Sequence, residues 1–287
     1  MSSEFGFEGK ADVFVPDGLG WEAATARVTH LGVGAHQDDL EFMAYDGILR
    51  CYRNAQSWFG GVTCTDGAGS SRTGPYAHYT DAALCEARVL EQRQAAVVGE
   101  YGVMLQLGYP SRAVKEPGAA GLVADLRRIL AWNRLECVYT HNPADKHDTH
   151  IGVVVALLDA VKGLPRAARP RKIYGCEVWR DLDWLADAEK VVMDLSGRPN
   201  LAAALNGCFD SQISGGKRYD LGVLGRRSAN ATFFQSHASD AATQLAFAMD
   251  LTPFVEEDAP DLLEYVGGAL DRFKEDVLGR LRRRIGR

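Results

Sequence analysis

Two short segments concentrate the side chains that bind cations and move protons. GAHQDD at 34–39 carries His36, Asp38 and Asp39, and THNPADKHDTH at 140–150 carries His141, Asp145, His147, Asp148 and His150. Burying such groups costs free energy unless something pairs with them, and a cation does so. Two imidazoles and one carboxylate with an open fourth position are a common way to hold catalytic zinc. His36 and Asp39 stand three apart at a strand-to-helix turn, so both can face one point, as i and i+3 positions do on a helix. Asp38 must then point beside the metal. A carboxylate there can take a proton from water whose pKa the metal lowers from 15.7 to roughly 7. His147 and His150 repeat the spacing at a helix start, where one can ligate while the other faces substrate.

Plainer accounts compete with this one. Asp38 and Asp39 could simply cap the positive end of the following helix, although a second histidine-rich cluster at a matching strand end weighs against that. GVGAHQ begins like a dinucleotide fingerprint but lacks its third glycine. Gly32 and Gly34 read as letting the backbone turn tightly beside a ligand. His30 lies inside a strand and reads as a core histidine, while His78 and His237 fall in polar, loop-like stretches.

The elements that must position these groups alternate in type. Strand-like runs are expected at 28–35, 57–65, 103–108, 136–142 and 171–179, and helices at 42–55, from Thr80 or Asp81 to 102, at 121–135 and from His147 to Lys162. This β-α-β-α order predicts an α/β fold, a Rossmann-like, mostly parallel sheet with helices on both faces. Ligands then bind at the carboxyl ends of the strands, where both clusters fall. After residue 180 the pattern loosens: helices at 199–212 and 215–235, a strand-like run at 245–254 and a closing helix from about 260. Nothing in composition demands a second domain, so 1–287 reads as one domain, with a core of about 26–180 and a C-terminal elaboration of about 181–287.

Apolar residues make up 46% of the 287 and charged residues 24%, with a net charge of −6. That composition belongs to a globular protein and gives no electrostatic reason to expect nucleic acid. No window reaches the 18 or so uninterrupted apolar residues of a spanning helix, and MSSEFGFEGKADVF lacks the apolar core of a secretory signal. Six scattered cysteines without a CxxC pair read as buried thiols of a cytoplasmic protein. The basic ending LGRLRRRIGR reads as a solvated helix end suited to the C-terminal dipole.

AHQDDLE and THNPADKHDTH resemble the two signature motifs of the PIG-L/LmbE-like de-N-acetylases, usually [AP]HPDDxE and THxPxDxHxDH. Arg88 and Glu91 in ARVLEQRQAAVVGEYG are similar to the family's Arg-x-x-Glu helix, and Ser211 and Gln212 in LNGCFDSQI to its Ser-Gln segment. The resemblance implies a Rossmann-like fold, a divalent metal, usually zinc, and hydrolysis of an N-acyl group from an amino sugar. It implies His36, Asp39 and His150 as ligands, Asp38 as general base, and His147 as the group that stabilises the oxyanion or protonates the amine. Gln37 replaces the usual Pro, which should loosen the turn slightly. Thr149 replaces the Asp that would orient His147, a role Asp145 or Asp148 could take over, with His141 as a further supporting residue. Asp46-Gly47 stands where a glycine pair is common.

The reading that follows is a metal-dependent hydrolase removing an N-acetyl group from a 2-acetamido sugar or glycoconjugate. Zn2+ is the expected metal, with Fe2+ or Co2+ also suited to the ligand set. The expected partner is a small amino-sugar substrate, without nucleic acid and without a membrane span, and oligomeric state is open, a homo-oligomer among the options. An amidase on a non-sugar N-acyl compound and a catalytically silent sugar-binding protein are the alternatives. The loops after the second and fifth strands should border the site. Trp179 would offer a flat face to a sugar ring, and Arg72, Arg180 and Asp181 hydrogen bonds to its hydroxyls.

Overall fold

A computed structural model describes residues 6–286, so the first five residues of the N-terminal stretch and Arg287 of the basic ending lie outside the described residues. The strands are β1 (Asp12–Phe14), β2 (Val28–Gly34), β3 (Trp58–Thr65), β4 (Val103–Tyr109), β5 (Cys137–His141), β6 (Ile173–Cys176), β7 (Lys190–Asp194) and β8 (Leu245–Asp250). The helices are α1 (Trp21–Ala26), α2 (Asp39–Met43), α3 (Tyr45–Cys51), α4 (Asp81–Val98), α5 (Ser111–Lys115), α6 (Ala120–Leu130), α7 (Asp148–Lys162), α8 (Pro199–Asn206), α9 (Asp210–Ile213), α10 (Tyr219–Phe233) and α11 (Leu262–Ile285).

All eight strands join one sheet in the order β1-β4-β3-β2-β5-β6-β8-β7. The central five run parallel, as expected. β1, β8 and β7 add antiparallel edges from segments outside the βα alternation. Side chains alternate between two cores. Val103, Leu105 and Leu107 of β4 pack in one with Leu126 and Leu157, whereas Met104 packs in the other with Leu40, Ile48 and Ala95. Helices therefore cover both faces, the period-two signature of a doubly buried sheet.

The strand order reverses between β2 and β5. After β2 the chain moves outward through β3 and β4, then returns to place β5 on the other side of β2. Such a switch point opens a crevice at the carboxyl ends of the two diverging strands. Val33 is in register with Thr140, so GAHQDD and the segment after His141 leave the sheet side by side.

Several local expectations change. The 42–55 helix is two, because Ala44 leaves helical geometry (φ −106°, ψ 18°). The break lets α3 turn Asp46 onto the Tyr139 hydroxyl at 2.7 Å. The 199–212 helix also divides, where Phe209 inserts into the core and the Glu91 carboxylate takes the Ser211 amide at 2.6 Å. Gly34 serves packing rather than a tight turn: a Cβ there would lie 3.0 Å from Cβ of Asp39, so its absence lets α2 seat against β2. Gln37 ties its turn to β4, its side-chain amide donating to Gln106 Oε1 at 3.1 Å.

Candidate metal centre

Nδ1 of His36, Nε2 of His150 and Oδ2 of Asp39 form a nearly equilateral triangle. Its edges are 3.3 Å (His36–Asp39), 3.3 Å (His36–His150) and 3.5 Å (His150–Asp39). Ligands at about 2.0–2.1 Å from a tetrahedral zinc are separated by about 3.3–3.4 Å. Spacing and chemistry of the three donors therefore fit a divalent cation without rearrangement. Asp145 fixes one of them: its Oδ2 accepts from Nδ1–H of His150 at 3.3 Å, leaving the Nε2 lone pair for the triangle. His36 Nδ1 faces the triangle while the His36 amide donates to Asp39 Oδ2 at 2.7 Å.

His141 lies close by, with Nε2 3.4 Å from Asp39 Oδ2. That lone pair, however, accepts the Ala35 amide at 2.9 Å. The ring stacks on His150 at 3.7 Å between centroids, so His141 supports a ligand and does not itself face an open position.

Asp38 stands at the N-cap position of α2 yet its side chain makes no capping hydrogen bond, so Asp38 does not act as a hydrogen-bonding cap, while Asp39 and Glu41 place acids in the first turn. It is buried, with Oδ2 3.6 Å from Nη2 of Arg88 and its amide donating to Gln92 Oε1 at 3.2 Å. Arg88 is braced in turn by the carbonyls of Gln37 and Gly67 and by the Ser70 hydroxyl. Burial pushes the Asp38 carboxyl well above the carboxylate range despite Arg88, and the neighbouring Asp39 charge adds to the rise. Burial would raise Asp39 too, but the imidazoles of His150 and His141 hold it well below that range. Adjacent carboxyls whose pKa values are driven apart mark separate acid–base duties.

His147 is the N-cap of α7, its Nδ1 accepting the Thr149 amide at 3.3 Å. The backbone of residue 149 thus does what an Asp side chain would have done. The neutral ring keeps its proton on Nε2, and the ring lies 5.0 Å from His36 and 6.2 Å from Trp179 between centroids. Burial, with His150 and His36 alongside, lowers His147 to about 4. His150 is also disfavoured as a cation by burial, but Asp39 and Asp145 outweigh that and raise it. Asp148 is exposed and has no part in orienting either ring.

A cavity of about 620 Å³ opens beside the triangle, lined by His36, Asp38, Asp39, His147 and Trp179 among others. Arg72, Arg180 and Asp181 do not line it. The Arg72 guanidinium is spent on its own loop, on the carbonyls of Ala68 and Tyr79 and on Asp81. Arg180 bonds the Ala144 carbonyl, and Asp181 is exposed. Missing from the sequence reading were Lys217, Tyr219, Arg226 and Arg227, which also line the cavity. Arg227 is buried and donates to the Glu41 and Phe42 carbonyls at 2.8 and 2.9 Å, capping the end of α2. Their one signal is the run of arginines in the 215–235 stretch, which carried no site assignment.

Residues 31–161 match the model of the PIG-L family, described as GlcNAc-PI de-N-acetylase. The matched stretch contains both histidine–aspartate segments. Among solved structures it is similar to a conserved protein of Thermus thermophilus (19% identity, TM-score 0.57, covering 77% of this chain and 94% of that one). It is also similar to the N,N'-diacetylchitobiose deacetylase of Pyrococcus horikoshii (14%, TM-score 0.58, 76% and 82%). The hydratase of 4-carboxy-2-hydroxymuconate from Pseudomonas putida shares the fold too (18%, TM-score 0.54, 78% and 95%). At these identities the likeness is one of fold. No curated protein matches the chain.

Proposed function

We propose that the protein is a metal-dependent hydrolase that removes the N-acetyl group of a 2-acetamido sugar or glycoconjugate. The observation that carries this reading is the His36–Asp39–His150 triangle with Asp38 buried beside it on the wall of one cavity. The PIG-L match and the deacetylase among the structural neighbours support it. A divalent cation, zinc by preference of the donors, would be held by those three residues and would supply Lewis acidity toward an amide carbonyl and acidify water.

The chain's own residues supply the rest. Asp38, raised by burial and kept in place by Arg88, accepts the proton of the attacking water. His147 offers Nε2–H as a donor where negative charge develops on the amide oxygen, since Thr149 occupies its other nitrogen. Trp179 supplies an apolar wall beside His147. Among the described residues no helix is long and apolar enough to cross a membrane, and a small amino-sugar conjugate is the partner this cavity suits.

The test is acetate release from a library of 2-acetamido sugars, N-acyl amino acids and glycoconjugates, with the metal supplied. Release from the sugars and not from the amino acids supports the proposal. Release from the amino acids alone would make the protein a non-sugar amidase. Binding of sugars without release would make it a silent relative, and the hydratase in the same fold is the reason to read acetate itself.

A further inference from the structure

Helix α11 leaves the body early. Tyr265 donates to the Asp250 carbonyl at 2.6 Å, Arg272 pairs with Glu189 at 2.6 Å, and Ala269 is the one buried residue of the helix. The apolar positions continue past that anchor. Leu270, Phe273, Val277, Leu281 and Ile285 follow at steps of three or four, the spacing of one helix face, and are 47, 38, 39, 54 and 62% exposed. Residues 270–285, at about 1.5 Å each, thus carry an apolar stripe about 24 Å long into water. A helix of this length draws most of its stability from packing, and contiguous exposed apolar surface marks an interaction site.

The charges along one edge of the stripe say what covers it. At 100° per residue Glu264, Asp271 and Arg282 fall on one flank of the stripe, and along the helix as a whole the acids Glu264, Asp271, Glu275 and Asp276 precede the bases Arg280, Arg282, Arg283 and Arg284. No acidic residue follows Asp276. Glu264, Asp271 and Lys274 form no ion pair among the described residues, and Arg282 pairs only with exposed Glu275 at 3.3 Å, a contact of small worth. An identical helix laid parallel would set the basic ends of both copies side by side, at the same level along the pair. Laid antiparallel, it brings Arg282 of each copy to Asp271 of the other, and Phe273 of each copy against Val277 and Leu281.

We propose that α11 is a homodimerisation helix, a second copy of this chain packing its own α11 antiparallel on the stripe about a two-fold axis near Asp276–Val277. Such an isologous contact is self-complementary, and apolar seams edged with opposite charges are what pairs helices in this way.

Sedimentation of the full chain tests it. The expected result is a species of twice the 31.3 kDa chain mass, with Val277→Asp raising the dimer dissociation constant by at least about tenfold. Asp271→Arg and Arg282→Asp should each weaken the dimer, and the double variant should restore it. All three positions are exposed, and an unchanged far-UV spectrum and melting temperature would confirm that each variant folds. A monomeric parent chain, or a dimer indifferent to Val277→Asp, overturns the proposal, and failure of the double variant to restore association overturns the antiparallel pairing. A monomer that instead co-sediments with phosphatidylserine-containing vesicles, and not with phosphatidylcholine alone, would overturn it in favour of a membrane surface.

Discussion

One oxygen of Asp145 accepts from Nδ1 of His150 at 3.3 Å and from the Trp179 amide at 3.2 Å. The carboxylate thus sets the tautomer of a candidate metal ligand and ties to it the loop that carries an aromatic wall of the cavity. Acceptors of this kind are typically worth about 10–100-fold in metal affinity. Asp145→Asn should lower zinc affinity by that factor, measured by competition with a chromogenic chelator. An unchanged affinity would mean that stacking on His141 suffices to orient the ring.

The two aspartates should fail differently. Asp39→Asn removes a donor of the triangle, so metal content should fall first and activity with it. Asp38→Asn keeps all three donors and the side-chain size, so it should retain metal while turnover drops by roughly 10²–10⁴-fold, the usual worth of a general base. Metal analysis and single-turnover kinetics, run on both variants together, read the difference. Near-parental turnover in Asp38→Asn would leave the mechanism without a base.

Trp179 is 37% exposed, with Lys217 5.3 Å from its ring centroid and the Tyr219 ring edge-on at 6.1 Å. An indole this open beside the metal centre should contact substrate rather than fill a core. Trp179→Ala should raise KM by about tenfold or more, the loss of an aromatic face worth about 1–2 kcal/mol, and leave melting nearly unchanged. A large drop in melting temperature with unaltered KM would assign the ring to packing.

His30 sits at the other end of β2, far from this chemistry, and supplies a stability prediction. Burial, with Arg50 nearby, holds its imidazolium below the ordinary value of 6.5. The unfolded chain takes up a proton there that the folded chain resists, so stability is fully present above about 6.5 and declines as the pH falls below it. His30→Gln should flatten that part of the melting-temperature curve relative to the parent chain. Parallel curves for the two proteins would show that His30 titrates normally.

The chemistry was legible where residue type and strand-end position coincide. The βα alternation was enough to bring His36 and Asp39 beside His147 and His150, whereas the choice of His150 over His147 as candidate ligand came from the family resemblance, and the two cores follow from the alternation along β4. What was illegible depended on contacts between distant segments. Asp145 and Asp148 flank His147 in the sequence, and only the start of α7 at Asp148 turns one outward and leaves the other beneath His150. Asp46 made sense only once Tyr139 was seen to reach it. Lys217 and Tyr219 arrive from well over a hundred residues beyond the β2 turn. The antiparallel edges escaped because β1 is only three residues and β7 five, and each pairs with a strand far along the chain, across several helices.

Asp38 holds φ at 99°, a backbone shape that suits glycine far better than a residue with a Cβ. It also keeps a carboxylate out of water. Both features burden the folded chain, and Asp38→Gly would lift both at once. A laboratory lineage selected only for surviving heat would therefore drift toward that substitution and finish sturdier, and on the mechanism proposed above without its base.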